Sequence, residues 1–326
     1  GHIIAKSQIE VNIPNHKFQQ LSNNPVGHAE IIAPRIKEPD VNRVIVEGEN
    51  FNIEFSKVDG FLCRYDVNGV SMIEKGSSLT PNFWRAGTDN DYGARLNLKY
   101  KVWKNPVMKL NNITSKVENS MVYVDAEYQM PEVFSTLRLS YVINNEGAIQ
   151  VTQKLLTDKG KKVPNMFRYG MRMRMPKEMY YSHFYGRGPV ENYIDRNHNS
   201  FVGIYKMTTQ EQFYPYIRPQ ENGCKTDIRW WNQTNKGGIG LNFVASKPFS
   251  MVALNYTIES LDDGDLKDQR HSGQVEPADF IEVCIDYAQQ GLGGENSWGS
   301  TCLPQYRLTY KDYEFTYQIK PLDTVY

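Results

Sequence analysis

Apolar and polar residues alternate along most of this chain with a period of two. Phe51, Ile53 and Phe55 alternate with polar residues, and the same pattern recurs in residues 122–128 and 312–319. Because successive side chains of a β-strand point to opposite faces, this alternation predicts strands with one buried face. Further strands are predicted over residues 133–143, 148–156, 166–175, 239–245, 250–257, 281–287 and 305–310.

Turn signals separate these segments. Asp59-Gly60 and Asn68-Gly69 are dipeptides of the kind that close hairpins, and residues 144–147 link two of the predicted strands. A helical period is seen only over residues 257–267. Because turns recur too densely for helices to lie between parallel strands, the pattern predicts an all-β antiparallel fold. Its simplest form is two large sheets packed face to face.

The chain divides into three parts on this pattern. Residues 1–13 predict a single strand whose sheet lies outside the chain, and residues 14–43, which contain four prolines, are interpreted as a linker. Residues 44–326 contain no comparable break, so we interpret them as one large domain. The chain begins with Gly-His and has no signal peptide, so we expect it to be a piece of a longer protein.

Composition excludes several classes of function. Of the 326 residues, 37 are Lys or Arg and 37 are Asp or Glu, so the formal net charge is zero. A basic surface for nucleic acid is therefore not expected. No apolar run approaches the roughly 18 residues of a membrane span, so no membrane partner is expected either. The four cysteines lack the CxxC spacing typical of zinc sites and redox motifs.

Residues 291–300 place one large aromatic ring, that of Trp298, among glycines and small polar residues. Glycine opens backbone angles that are closed to other residues and leaves a neighbouring ring uncovered. A tryptophan on such a loop can stack its flat face on a sugar while its N–H donates a hydrogen bond. The alternative is a buried tryptophan that closes a sheet, because this residue type is highly buried on average.

Residues 79–93 join an aromatic and arginine cluster around Arg85 to a short acidic loop. Asp89 and Asp91 on this loop have the chemistry of hard-metal ligands or of paired catalytic carboxylates. Against this, Asp and Asn commonly hydrogen-bond to their own backbone in turns. We favour a structural or interface role for this loop.

The loop 185–196 combines glycines and a proline with acidic and basic side chains. Glu191 and Asp195 are residue types that act as an acid and base pair on glycosides. The alternative, which we favour, is a loop frame in which they pair with Arg187 and Arg196. A phosphate-binding loop is not predicted, because the GK[ST] ending and a following helix are missing.

Two tryptophans and two histidines remain as candidates. The adjacent Trp230 and Trp231 either form a sugar platform or pack a sheet edge. His183 and His271 lie in patterned strand or loop context, and a histidine acid beside a carboxylate base would suit epimerisation at a sugar's anomeric carbon. The alternative for each histidine is a hydrogen-bonded structural residue.

Four stretches together resemble one known family. They are FWRAGTDND (83–91), YGRGPVENYIDR (185–196), YIRPQENG (216–223) and GLGGENSW (291–298). In this order they resemble the C-terminal part of lac-type β-galactosidases of glycoside hydrolase family 2. The resemblance implies the small-chain domain of such enzymes, an antiparallel supersandwich that is akin to the galactose mutarotases. It also implies that residues 1–13 are the last strand of the preceding β-sandwich domain.

The resemblance also assigns roles. In this family the two catalytic glutamates lie on a (β/α)8 barrel, and the βα alternation of such a barrel is not seen in this sequence. We therefore expect no catalytic residue in this chain and no activity from it alone. The tryptophan of the last motif, Trp298 here, stacks on the substrate sugar in the family. Residues expected to shape its loop are Glu295, Asn296 and Ser297, and residues expected on loops that face other domains are Arg85, Asp89, Asp91, Arg187 and Glu191.

The partners implied are the preceding β-sandwich and barrel domains of the same enzyme and a β-galactoside substrate. Mg and Na are implied for the full-length enzyme and no cofactor for this chain, while assembly into a homo-oligomer stays open. Two other functions compete with this one. An autonomous sugar epimerase would use His183 or His271, and a carbohydrate-binding module would use Trp298 with Trp230 and Trp231.

Overall fold

The structure is a computed structural model that describes residues 6–9, 18–23, 32–296 and 298–322. These residues form an all-β, antiparallel fold of a five-stranded and a twelve-stranded sheet, which confirms the predicted fold class. Helices are single turns or little more: α1 (Asp89–Gly93), α2 (Leu96–Lys99), α3 (Thr209–Gln212) and α4 (Ile258–Leu261). None of the helices in the described ranges has the length and apolar character needed to cross a membrane.

The five-stranded sheet begins inside the segment interpreted as linker. Its strands follow chain order: β1 (Arg35–Lys37), β2 (Arg43–Glu47), β3 (Phe51–Ser56), β4 (Leu62–Val67) and β5 (Val70–Ser71). β1 was missed because it has three residues, too few for a period to be read, and is fixed by its ladder with β2. The linker interpretation is therefore wrong for residues 35–37. The two turn dipeptides close the β3–β4 and β4–β5 hairpins, as predicted.

The twelve-stranded sheet is a path of nine strands with a branch. The path runs β13-β12-β14-β15-β17-β10-β9-β8-β7, and the branch runs from β15 through β16 and β11 to β6. The bounds are β6 (Thr80–Asn82), β7 (Lys109–Glu118), β8 (Met121–Met130), β9 (Ser135–Ile143), β10 (Ile149–Thr157), β11 (Arg168–Pro176), β12 (Tyr181–Gly188), β13 (Phe201–Thr208), β14 (Lys225–Thr234), β15 (Gly240–Leu254), β16 (Phe280–Gln289) and β17 (Tyr313–Leu322).

Strand β15 unites two predicted strands. Its first part, Gly240–Ala245, pairs with β17, and its last part, Ser250–Leu254, pairs with β16. Between them the alternation breaks at the exposed residues 246–248, where the register against β14 also shifts. Such an irregularity bends a strand without ending it, and the bend lets β15 serve two different partners.

Two other predicted elements differ from the structure. Residues 305–310 form a 3-10 turn at Pro304–Tyr306 followed by an isolated bridge, because proline begins a turn more readily than it joins a sheet. The helical period over 257–267 yields only α4. Residues 6–9 are not part of a strand, and the remainder of the strand predicted for 1–13 lies outside the described residues.

The two sheets share one hydrophobic core. The ring of Phe55 in β3 packs edge-on against Tyr141 in β9 at 4.9 Å, and Phe61 stacks on Tyr128 in β8 at 5.4 Å. The buried Tyr65 hydroxyl donates to the Gly147 carbonyl at 2.7 Å, so its polar atom is satisfied inside this interface. The small sheet therefore covers the β8–β10 part of the large one. The branch of the large sheet holds the candidate site.

Candidate functional site

The Trp298 ring stands outside the body of the fold. It is 93% exposed, so the alternative of a buried tryptophan is wrong. The ring follows strand β16 on a loop whose Gly293, Gly294 and Gly299 have positive φ angles of 73°, 122° and 111°. Only glycine adopts such angles without strain, which explains the glycines of this motif. We call residues 290–293 the loop base and residues 295–298 the loop tip.

The described residues of the loop tip, Glu295, Asn296 and Trp298, are all exposed. Asn296 accepts a hydrogen bond through its Oδ1 from the Trp298 backbone N–H at 2.9 Å, which makes a small turn below the ring. Glu295 is exposed. The third residue predicted to shape this loop, Ser297, lies outside the described residues. The exposed Glu295 and Asn296 thus share the tip with the ring.

Arg85 reaches the loop base from the first motif. Its Nη1 donates to the Gln290 carbonyl at 2.5 Å and its Nη2 to the Gly291 carbonyl at 3.3 Å. Asp91, which forms the capping box of helix α1 with Thr88, binds the same guanidinium with both carboxylate oxygens at 2.8 and 3.0 Å. Burial acts to lower the pKa of Arg85, but the Asp91 carboxylate raises it above its usual value.

Arg85 and Asp91 are 0% and 1% exposed, which corrects the prediction that they lie on a surface facing other domains. The pairing of Asp91 with Arg85 also contradicts the metal-ligand alternative for that residue. The prediction was wrong because closely spaced charged residues occur both in buried ion pairs and on exposed loops, and the sequence does not distinguish the two. Asp89 is half-exposed and pairs with Lys267 at 2.5 Å.

The second motif reaches the loop base through Asp195. Its Oδ1 accepts from the Leu292 N–H at 3.1 Å and its Oδ2 from the Gly293 N–H at 2.9 Å. The predicted ion-paired frame forms only in part: Glu191 pairs with Arg196 at 2.7 Å, whereas Arg187 pairs with Asp227 at 2.5 Å. The prediction that Asp195 belongs to this frame is wrong, because its oxygens bind the two backbone amides.

Glu191 is unsuited to acid or base chemistry. Its Oε1 accepts from Arg196 and from the Tyr216 hydroxyl, and its Oε2 accepts from the Gly223 N–H at 2.8 Å. Both oxygens are thus occupied by donors of the same chain.

Arg187 is about a quarter exposed, and it also donates to the Ser200 carbonyl at 2.8 Å.

The third motif reaches the end of strand β16, next to the loop base, through Glu221. Arg168 of β11 is buried and donates through Nη2 to Glu221 at 2.9 Å, while its Nε lies 3.1 Å from Asp286 of β16. Gln289, at the end of β16, donates to the same Glu221 oxygen at 3.0 Å. Gly170 leaves room for Asp286, because a Cβ there would lie 2.4 Å from Oδ1. The third motif therefore holds Gln289, the residue that precedes the loop base.

This buried network makes stability depend on pH. Burial raises the pKa of Asp286 from 3.8 to about 7, and Arg168 opposes that shift. Between about pH 4 and 7 the folded chain keeps a proton that the unfolded chain has lost, so the free energy of unfolding falls as pH rises. Above this window the effect is constant. We expect urea unfolding at several pH values to show this fall in the wild type but not in Asp286→Asn. Parallel curves for the two proteins would contradict it.

The remaining candidates do not form a second site. Trp231 is fully buried and stacks on Phe243 at 4.7 Å, so it cannot be half of a sugar platform. His183 packs edge-on against Trp230 at 4.9 Å, and both burial and Lys206 lower its pKa. The described residues contain no group of three or more His, Cys, Asp or Glu that is placed to hold a metal ion.

His271 contacts neighbouring residues through both its side chain and its backbone. Its Nδ1 lies 3.2 Å from the Ile217 carbonyl, and its backbone N–H donates to the Gln274 side chain at 2.6 Å. These contacts fit the structural alternative for this histidine.

A cleft of about 250 Å³ lies away from Trp298, between Trp84, Trp103 and Arg172. Arg172 pairs with Glu259 and Lys104 pairs with Asp262, both at 2.7 Å. These ion pairs occupy the charged groups that would otherwise bind a ligand. We therefore place the candidate site at Trp298.

Comparison with known proteins gives a consistent result. A family model described as "Beta galactosidase small chain" matches residues 47–319. The chain is 31% identical over 280 residues to a β-galactosidase of Priestia megaterium, covering 85% of this chain and 26% of that protein. It is 28% identical over 293 residues to a β-galactosidase of Streptococcus thermophilus, covering 88% and 28%. The chain thus spans about a quarter of the length of these relatives.

Among solved structures, the chain is similar to a putative aldose 1-epimerase from Escherichia coli K12. The two share 8% sequence identity with a TM-score of 0.48, over 88% of this chain and 99% of that one.

Proposed function

This chain belongs to the β-galactosidase small-chain family, and on that premise we propose that it is the sugar-contacting domain of a larger β-galactosidase of glycoside hydrolase family 2. In this proposal the reactive carboxylates belong to a barrel domain elsewhere in the enzyme. The chain supplies the Trp298 ring, which stacks on the β-galactoside. Any Mg or Na that the enzyme binds belongs to its other domains.

The observation that carries the proposal is the exposed ring on a fixed base. An exposed indole offers a flat face that stacks on the C–H face of a sugar and an N–H that donates a hydrogen bond. The loop base is held by Arg85 and Asp195, side chains of two separate motifs, so the ring is presented at a defined place. Such rigid presentation lowers the entropy cost of binding a ligand.

The autonomous epimerase has less support. His183 needs a carboxylate partner for such chemistry, whereas its pKa is lowered by burial and by the cationic Lys206. Both influences favour the neutral imidazole, which is a poor acid at neutral pH. The carbohydrate-binding module also has less support, because Trp231, one of its three proposed tryptophans, is buried in the core.

We expect the chain alone not to hydrolyse a chromogenic β-galactoside, because the oxygens of Glu191 are occupied and Glu295 lies on an exposed tip. Release of the chromophore by the purified chain is the measurement, with the full-length enzyme as the positive control. Turnover by the chain that Glu191→Gln or Glu295→Gln abolishes would refute the proposal.

A further inference from the structure

The backbone of the loop base is held by two side chains of opposite charge. Arg85 donates to the carbonyls of residues 290 and 291, and Asp195 accepts from the amides of residues 292 and 293. Only residues 294–297 separate this base from the Trp298 ring. The direction in which the loop leaves the base therefore decides where the ring stands.

The chemistry at residues 292 and 293 requires a carboxylate. Two successive backbone N–H groups that converge on one point form a small concavity suited to an anion. Each oxygen of Asp195 accepts one of these hydrogen bonds, at 3.1 and 2.9 Å. An asparagine side chain would offer one acceptor and one N–H donor, and the donor would face an amide N–H.

The surroundings fit this contact closely. A Cβ on Gly291 would lie 2.5 Å from Oδ2 of Asp195, so a larger residue would push the carboxylate and the loop apart. Asp195 itself sits in a turn closed by hydrogen bonds of 2.7 and 3.2 Å between Arg196 and Tyr193. The buried Asn192 fixes the start of this turn by donating to the Arg187 and Val190 carbonyls, both at 3.1 Å.

We infer that Asp195 is a positioning residue for Trp298: its carboxylate binds the amides of residues 292 and 293 and thereby sets the ring's place beside the sugar. Asp195 does not touch the substrate in this inference. Its effect on sugar binding rests on the proposed function, whereas its effect on the loop does not.

The test measures the position of the loop and the binding of the sugar in separate experiments. The chain is produced with 5-fluorotryptophan at its five tryptophan positions. The 19F resonance of Trp298 is the one that is missing from the spectrum of Trp298→Phe. We expect Asp195→Asn to shift or broaden this resonance and to cut exchange protection of amides 292 and 293 about tenfold. In the full-length enzyme it is expected to raise KM by roughly tenfold, with a smaller effect on kcat. Gly291→Ala should move the same resonance, and it carries the test if Asp195→Asn fails to fold.

Asp279→Asn is the matched control, because the Asp279 side chain is 96% exposed, and it should leave every readout unchanged. A folded Asp195→Asn chain with the wild-type Trp298 resonance would overturn the inference. The inference would also be overturned if Asp195→Asn displaced the resonance but left KM unchanged in an enzyme whose KM is raised by the Trp298 substitutions. If Trp298→Phe and Trp298→Ala also leave KM unchanged, the proposed function fails, while a displaced resonance still supports the positioning role.

Discussion

Replacing Trp298 with alanine in the full-length enzyme is expected to lower kcat/KM for a β-galactoside roughly 30-fold, equivalent to about 2 kcal/mol. The physical reason is the loss of the whole stacking face from the sugar. Thermal unfolding of the chain should not change, because the ring is 93% exposed and contributes little to the core. Steady-state kinetics and a thermal melt of the same preparation measure both effects.

Two variants make this experiment specific. Trp298→Phe keeps an aromatic face and should lose less than the alanine variant. Tyr123→Ala removes a half-buried aromatic residue from strand β8 and should leave the kinetics unchanged. Equal kinetics in wild type and Trp298→Ala would show that the ring does not contact the substrate.

Replacing Arg168 with methionine is expected to destabilise the chain by about 3–5 kcal/mol at neutral pH. The substitution preserves much of the side-chain length but leaves two buried carboxylates, those of Glu221 and Asp286, without the guanidinium between them. Burial raises the pKa of Asp286, so protonation of this carboxylate in acid removes part of the unpaired charge and the loss should shrink. Urea unfolding at pH 5 and pH 8, on either side of the folded-state Asp286 pKa of about 7, measures the change.

Arg64→Met provides the matched control for Arg168. Arg64 pairs with Asp66 at 2.5 Å, but its side chain is 54% exposed, so solvent screens the pair. We expect a change within about 1 kcal/mol. If both substitutions cost the same, the buried network is not the source of the stability that we assign to it.

The sheets were predictable because a strand has a simple period. Phe167, Tyr169 and Met171 lie on one face and are buried, as their alternation indicates. The same pattern places Arg168 on the opposite face but does not show that this face is also covered. Its partner Glu221 lies 53 positions away, and no local pattern reports a contact at that separation.

The contact of Asp195 was hidden for a different reason. A carboxylate that binds side-chain cations has visible partners in the sequence, such as Arg196 beside it. The partners of Asp195 are backbone amides 97 and 98 positions away, and every residue except proline has such an amide. By contrast, the different burial of Trp230 and Trp231 follows from the strand period alone, because neighbours on a strand point to opposite faces.

The separation of a fixed loop base from an exposed tip has an evolutionary consequence. Substitutions at Glu295, Asn296 and Trp298 alter a surface that contributes little to the free energy of unfolding, so they can accumulate without a compensating change elsewhere. Under the proposed function, selection can then retune the preferred sugar by diversifying the tip. Changes at Arg85 or Asp195 would instead displace the whole tip, whatever residues the tip carries.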